Sequence, residues 1–390
     1  AAQVSHLGAT ISRRIPNTHI GRAAMRPQLL GLMLTPVSVY ADLPLYDIGK
    51  DWRKLGELAK SRIRKYQNIS STVTQMQKIM ENINVSRAFD KLYASHSARF
   101  PEFAQELEAM ALGAGVDPKS LAIYSFKNEL LAVYGKQTPD VEDECSDVIA
   151  HTDSLHLNGH NEDGEIELAN VSYWVKTENF EAMAYPGQLP GGAFGFNYHG
   201  IVVTMNALSP KDVVIDSGCI GKYWLGRLIL QSTSIKEALT HLQDSCHTYG
   251  MSINIGSILT NEQMNIEVGP GRKLSVHNVT DGSYFHANAY LHLNVTEDPH
   301  LSPSSAHREA RARELLPVKR REDVLRILGD RQDTRWPIYR TLGNGDYAVT
   351  LATGLFDFAL KQVQVWSGTN PWTTPPLFTR TLLAGNTVTI

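Results

Sequence analysis

The sequence predicts a layered α+β fold, and three observations carry that expectation. Short runs with strand periodicity dominate the chain after residue 145, at 148–151, 155–157, 171–176, 180–185 and, as two strands joined at Tyr198-His199-Gly200, 191–206. A helical pair at 223–231 and 235–242 interrupts them, and strand patterns then resume at 251–259, 264–268, 274–279, 283–287, 347–351, 355–360 and 362–366. Strands, then helices, then strands again is not the alternation of a parallel βαβ sheet, and no Gly-rich phosphate loop precedes a helix. With 42% hydrophobic and 20% charged residues, the 390-residue chain has ample material for a core.

Taken in order, the first 41 residues carry Arg13, Arg14, Arg22 and Arg26 with no acidic residue before Asp42. That composition resembles an organellar transit segment and predicts a mitochondrial protein with a processed N-terminus, its basic extension offering a surface to protein partners. A secretory or lysosomal route is the alternative. Residues 29–41 would be its apolar segment, interrupted by Pro36, and sequons at Asn68, Asn84, Asn170, Asn278 and Asn294 fit it. Residues 51–96 read as a long helix or helical hairpin. Pro101 opens a helix that stops at Gly113-Ala114-Gly115, and Asp117-Pro118 opens another over 119–134. A Pro- and acid-rich linker, 138–144, then exposes the chain ahead of Cys145.

Cys145 opens a hairpin that turns at Thr152-Asp153 and ends in the polar turn-like cluster Gly159-His160-Asn161-Glu162-Asp163-Gly164. Ser232 and Ser234 are cap candidates for the 235–242 helix, with Glu237 at capping-box spacing from Ser234. Hairpins are expected at Asn261-Glu262 and Asp281-Gly282, and basic helices at 304–316 and 321–328. A net charge of −3 gives no reason to expect nucleic acid. The three cysteines have no metal-knuckle spacing, although a Cys219–Cys246 bridge is open to them. His156 and His160 stand four apart in a strand and turn, where that spacing does not make a helical metal face, so neither a metal nor a cofactor is expected.

A nucleophilic Cys at a strand start could use its own α-amine as a base if the preceding peptide bond were cut. Cys145 with the Gly159–Gly164 cluster, Gly195-Phe196-Asn197 through Gly200 to Asn206-Ala207-Leu208, His286-Ala287-Asn288, and Phe100-Pro101-Glu102-Phe103 to Gly113-Ala114-Gly115-Val116 together resemble the penicillin acyltransferase-like Ntn hydrolases. Isopenicillin N acyltransferase and insect β-alanyl-dopamine hydrolase belong to that family. The resemblance covers roughly residues 95–371. It implies a four-layer αββα sandwich with a pro-region at 96–144 and a catalytic-type core at 145–390, and the basic N-terminal extension and helical segment at 1–95 fall outside it. It further implies autocatalytic cleavage before Cys145, with Cys145 as nucleophile, Asp163 orienting it, Asn288 donating to the oxyanion and Asn206 supporting them. The substrate would be a small N-acyl compound or acyl thioester.

Two departures from the family pattern give a second reading. Glu144 stands where relatives generally have Gly, and Ser367 where they carry an Arg before the Thr-Asn-Pro-like stretch. The alternative is a catalytically silent homologue, an accessory subunit of a larger complex. Arg308 and Arg311 read as solvated or salt-bridged helix residues, and His199, His247 and His286 as structural. A Cys/His dyad is the weaker third reading, since no His has a motif context that places it by the thiol.

Overall fold

The computed structural model describes residues 42–135, 145–298, 303–342 and 348–383. The basic extension, the 138–144 linker and Glu144 lie outside the described residues. Strand β1 (Leu45–Gly49) precedes α1 (Trp52–Leu58), α2 (Lys60–Ile69), α3 (Ser71–Ile79) and α4 (Ile83–Arg99). The long helical stretch is thus cut into segments, because Asp51, Ser70 and Asn82 each cap a new start by accepting backbone N–H groups. Helix α5 (Pro101–Ala114) begins at its proline and ends at Gly115, whose φ of 66° is the left-handed value that favours glycine. The single helix expected over 119–134 is two, α6 (Pro118–Tyr124) and α7 (Lys127–Tyr134). Ser125 lies at the break: its hydroxyl donates to Ala122 O and accepts from Trp224 Nε1.

The strands that follow are β2 (Ser146–His151), β3 (His156–Glu165), β4 (Tyr173–Thr177), β5 (Phe180–Ala184), β6 (Phe194–Asn197) and β7 (Ile201–Leu208). Next come β8 (Cys219–Ile220), α8 (Lys222–Leu230), α9 (Ile235–Asp244) and β9 (Cys246–His247), with Cys219 and Cys246 joined as a disulfide. Ser234 caps α9 by accepting from Glu237 N. Strands β10 (Gly250–Ser257), β11 (Gln263–Gly269), β12 (Lys273–Asn278) and β13 (Gly282–His286) lead to α10 (Ser304–Leu315) and α11 (Arg321–Leu328). The chain closes with β14 (Ala348–Asp357), β15 (Gln362–Ser367) and β16 (Phe378–Thr381).

These strands form an eight-stranded sheet, β1-β4-β5-β6-β7-β10-β11-β12, and a six-stranded sheet, β13-β2-β3-β14-β15-β16. Three sequence expectations are corrected. The polar cluster 159–164 is no turn but the second half of β3, which pairs with β2 and β14. The patterns at 347–351 and 355–360 belong to one strand, β14. No hairpin forms at Asp281-Gly282, because β12 pairs with β11 in the larger sheet while β13 crosses to β2 in the smaller.

Alternation along the strands sorts side chains into four layers. Tyr173, Val175, Met205, Ile253 and Ile266 pack with residues of α1 to α9 on one face of the larger sheet. Trp174, Met183, Phe194, Val202, Phe356 and Val365 fill part of the space between the sheets. Val148, Ala150, Leu157 and Leu355 pack with Ala312, Val324 and Leu328 of α10 and α11 on the outer face of the smaller sheet. The architecture is therefore an αββα sandwich. Gly159 is needed where α11 crosses β3, since a Cβ there would meet Val324 Cγ1 at 2.5 Å.

Candidate active site

The β2–β3 register sets Asp147 opposite His160 and Ser146 opposite Asn161. Side chains of one parity, Asp147 on β2 and His160 and Glu162 on β3, point between the sheets; those of the other, Val148 and Gly159, face α11. Cys145, just before β2 and in phase with Asp147, therefore enters the inter-sheet space, and it is buried.

Two side chains clamp its backbone. Cys145 N donates to Asn288 Oδ1 at 3.0 Å, and Arg308 Nη1 donates to Cys145 O at 2.5 Å. Arg308, fully buried, also donates to Ser146 Oγ at 2.9 Å and, through Nη2, to Asn288 Oδ1 at 2.8 Å. One guanidinium thus holds both Cys145 and the amide that faces it. Of the two expectations for Arg308, solvated or salt-bridged, the first is corrected: it lies on the buried side of α10, whereas Arg311 pairs with Asp330 and Glu314.

Asn288 Nδ2 donates to Ala207 O at 3.0 Å. The neighbouring Asn206 serves the strand end that carries Asn288, which its Nδ2 braces by donating to His286 O and Ala287 O. Its Oδ1 accepts from Asn254 Nδ2. Asp163 is buried on β3 and accepts from Thr350 Oγ1 at 2.6 Å. Its charge is one of those that oppose ionisation of the Cys145 thiol.

His160 is the residue that sequence reasoning left out. Its Nδ1 lies 2.9 Å from Asp147 Oδ2 and its Nε2 2.9 Å from Glu162 Oε2, all three groups being buried. Thr204 Oγ1 donates to Asp147 Oδ1 at 2.5 Å, and the Tyr185 hydroxyl donates to Glu162 Oε1. The Cys145 Sγ lies within 4.8 Å of a His160 ring nitrogen and a Glu162 carboxylate oxygen. Burial disfavours the imidazolium, but the Asp147 carboxylate, the thiol and Glu162 outweigh it and hold the ring's pKa well above the usual value. Burial, with the Glu162 charge, raises the thiol's pKa, while His160 pulls it the other way.

This arrangement can deliver a thiol to an acyl carbon from a fixed backbone, and it has carboxylate groups at hand to accept the thiol's proton. His286, expected to be structural, is buried and joined to Glu267, whose carboxylate also accepts from the backbone N–H groups of Leu291, His292 and Leu293.

A family model described as acyl-coenzyme A:6-aminopenicillanic acid acyl-transferase matches residues 150–372. Among curated proteins, the beta-alanyl-dopamine/carcinine hydrolase of Drosophila melanogaster is 26% identical over 363 residues, covering 85% of this chain and 92% of that one. Among solved structures, a Caenorhabditis elegans N-acylethanolamine-hydrolyzing acid amidase ortholog aligns with a TM-score of 0.39 and 11% identity, covering 61% of this chain and 100% of that one. A mutant conjugated bile acid hydrolase from Clostridium perfringens aligns with a TM-score of 0.35 and 13% identity, covering 63% and 100%.

Proposed function

The chain belongs to the acyl-coenzyme A:6-aminopenicillanic acid acyl-transferase family, and on that premise we propose that it is an Ntn-type cysteine amidohydrolase or acyltransferase acting on a small N-acyl compound. The observation that supports this reading is the double clamp on Cys145, its nitrogen on Asn288 and its carbonyl on Arg308. A clamp of that kind suits a residue whose backbone must hold still while its side chain reacts.

In the proposed cycle the bond before Cys145 is cut by the chain itself, and the amide nitrogen becomes an α-amine with a pKa of roughly 8. That amine takes the thiol's proton as Sγ bonds to the acyl carbon. Asn288 donates to the oxyanion, a contact worth about 3 kcal/mol of barrier. The C–N bond then breaks, the leaving amine carries the proton away, and the acyl thioester is released to water or to a second amine. Asp163 and Asn206 are positioning residues in this scheme.

The silent accessory subunit is not favoured by this arrangement. For compartment, the Cys219–Cys246 disulfide and the exposed sequons at Asn68, Asn84, Asn278 and Asn294 support the secretory or lysosomal alternative over a reducing mitochondrial matrix.

The test is amine release. A β-alanyl amine, the compound class in the Drosophila relative's name, is the first to assay, followed by a panel of N-acyl amines. Wild-type chain should release amine through a mass-detectable acyl adduct on Cys145, and Cys145→Ala should not. Equal release by Cys145→Ala would contradict the proposal.

A further inference from the structure

The groups around the nucleophile also make a donor set that the acyl-transfer scheme does not require. Donor atoms of Cys145, His160 and Glu162 all lie within 4.8 Å of one another, and all three residues are buried. Thiolate, imidazole and carboxylate bound together at one point are the ligand types of zinc-like cations, not of calcium or magnesium, which take oxygen. We propose that Cys145, His160 and Glu162 bind a divalent zinc-type cation, and that its occupancy locks the nucleophile.

The surroundings are arranged as a metal site's would be. Asp147 Oδ2 holds His160 Nδ1 at 2.9 Å and is itself fixed by Thr204, which leaves Nε2 directed at Glu162. A carboxylate on the far ring nitrogen is the usual support of a metal-bound histidine. The Tyr185 hydroxyl occupies Glu162 Oε1, so the other oxygen, Oε2, is the one that faces the imidazole. Zinc bonds of about 2.0–2.3 Å imply ligand separations of roughly 3.3–3.8 Å. Binding therefore opens the His160 Nε2–Glu162 Oε2 pair, 2.9 Å apart, by about 0.4 Å and closes donor pairs as far as 4.8 Å apart by about 1–1.5 Å.

The charge balance is also favourable. Binding releases the thiol proton to solvent, and the thiolate and the Glu162 carboxylate then supply two negative charges against the cation's two positive ones. Three protein ligands leave a fourth position to water. The electron pair that would attack an acyl carbon is now committed to the metal, so metal binding and acyl transfer exclude each other. Only this last consequence rests on the proposed function; the binding itself does not.

The experiment is a titration of the full-length, chelator-treated protein with Co2+ under anaerobic conditions, followed by Zn2+ competition. The expected result is one Co2+ per chain with a near-ultraviolet sulfur-to-cobalt charge-transfer band and the intense visible bands of four-coordinate cobalt, both bleached by Zn2+. Cys145→Ser should remove the sulfur band, and His160→Ala and Glu162→Gln should each weaken binding at least about tenfold. Asp147→Asn, which removes a support and no ligand, should weaken it on the order of 10- to 100-fold while the sulfur band persists. The wild-type spectrum needs no variant to fold. Saturation without a sulfur band, or affinity unchanged across these variants, overturns the site. A chain that shows the band yet releases no amine from any N-acyl compound upholds the site while the hydrolase reading fails. An active enzyme that lacks the band and is indifferent to zinc does the reverse.

Discussion

Arg308 shows what a single residue contributes here and why it was hard to read. Its acceptors, Cys145 O, Ser146 Oγ and Asn288 Oδ1, come from two separate segments and are reached only by a forked guanidinium. Arg308→Lys keeps the charge but cannot span them. The expected outcome in steady-state kinetics is a fall in kcat on the order of 10²-fold with KM little changed, since the loss is of nucleophile placement and not of substrate contact. An unchanged kcat would show that Asn288 alone suffices. In the sequence, Cys145 and Asn288 were legible because motifs in family order surround them. Arg308 sits in a basic stretch, and the signal that could have found it was its phase: Ser304, Arg308 and Ala312 are spaced four apart and form the buried stripe of α10. His160 and Glu162 were obscured by Asp163-Gly164, which resembles a turn pair. Their i, i+2 spacing puts both on one face once β3 is extended through Glu165.

At the scale of elements, the helices that precede Cys145 are tied to the core by groups that local pattern does not pair. Glu106 of α5 and Arg227 of α8 form a buried two-point ion pair, with Nη2–Oε1 at 2.8 Å and Nε–Oε2 at 3.0 Å. Removing one partner strands the other, so Glu106→Ala should cost roughly 3–5 kcal/mol by urea unfolding. A loss within error would show that the pair is solvated. A second tie is His96 of α4, whose Nε2 accepts from Gly221 N at 2.8 Å at the entry to α8 while Nδ1 lies 2.7 Å from Leu92 O. Burial lowers its pKa from 6.5 to about 4, so below pH 6.5 the unfolded chain takes up a proton that the folded one refuses. Its contribution is complete above the unfolded value and is lost as pH falls from 6.5 toward 4, on the order of 3 kcal/mol in all. Unfolding midpoints at neutral and acid pH should therefore drop further for wild type than for His96→Gln; equal drops would contradict the assignment.

For the whole molecule, the layering was legible as strands, helices and strands again, while the partition of strands between sheets was not. The clearest case is β13, which continues from β12 in sequence but pairs with β2, at Phe285↔Val148. Pairing over such a separation is decided by which face each strand can bury, not by the residues at the turn. The same interleaving predicts how a cut chain behaves. Strand β1 hydrogen-bonds to β4 at the edge of the larger sheet, and α1 to α7 share one hydrophobic core with strands that follow Cys145. Cleavage before Cys145 should thus leave two polypeptides that stay together until denatured.

The most direct measurement is the mass of the purified chain, taken once under native conditions and once denatured. A single native mass that resolves on denaturation into two polypeptides, the larger beginning at Cys145, is the predicted result, and Cys145→Ala should remain one polypeptide. An uncut wild-type chain that still turns over an N-acyl amine would contradict the account, because the α-amine assigned as the base would not exist.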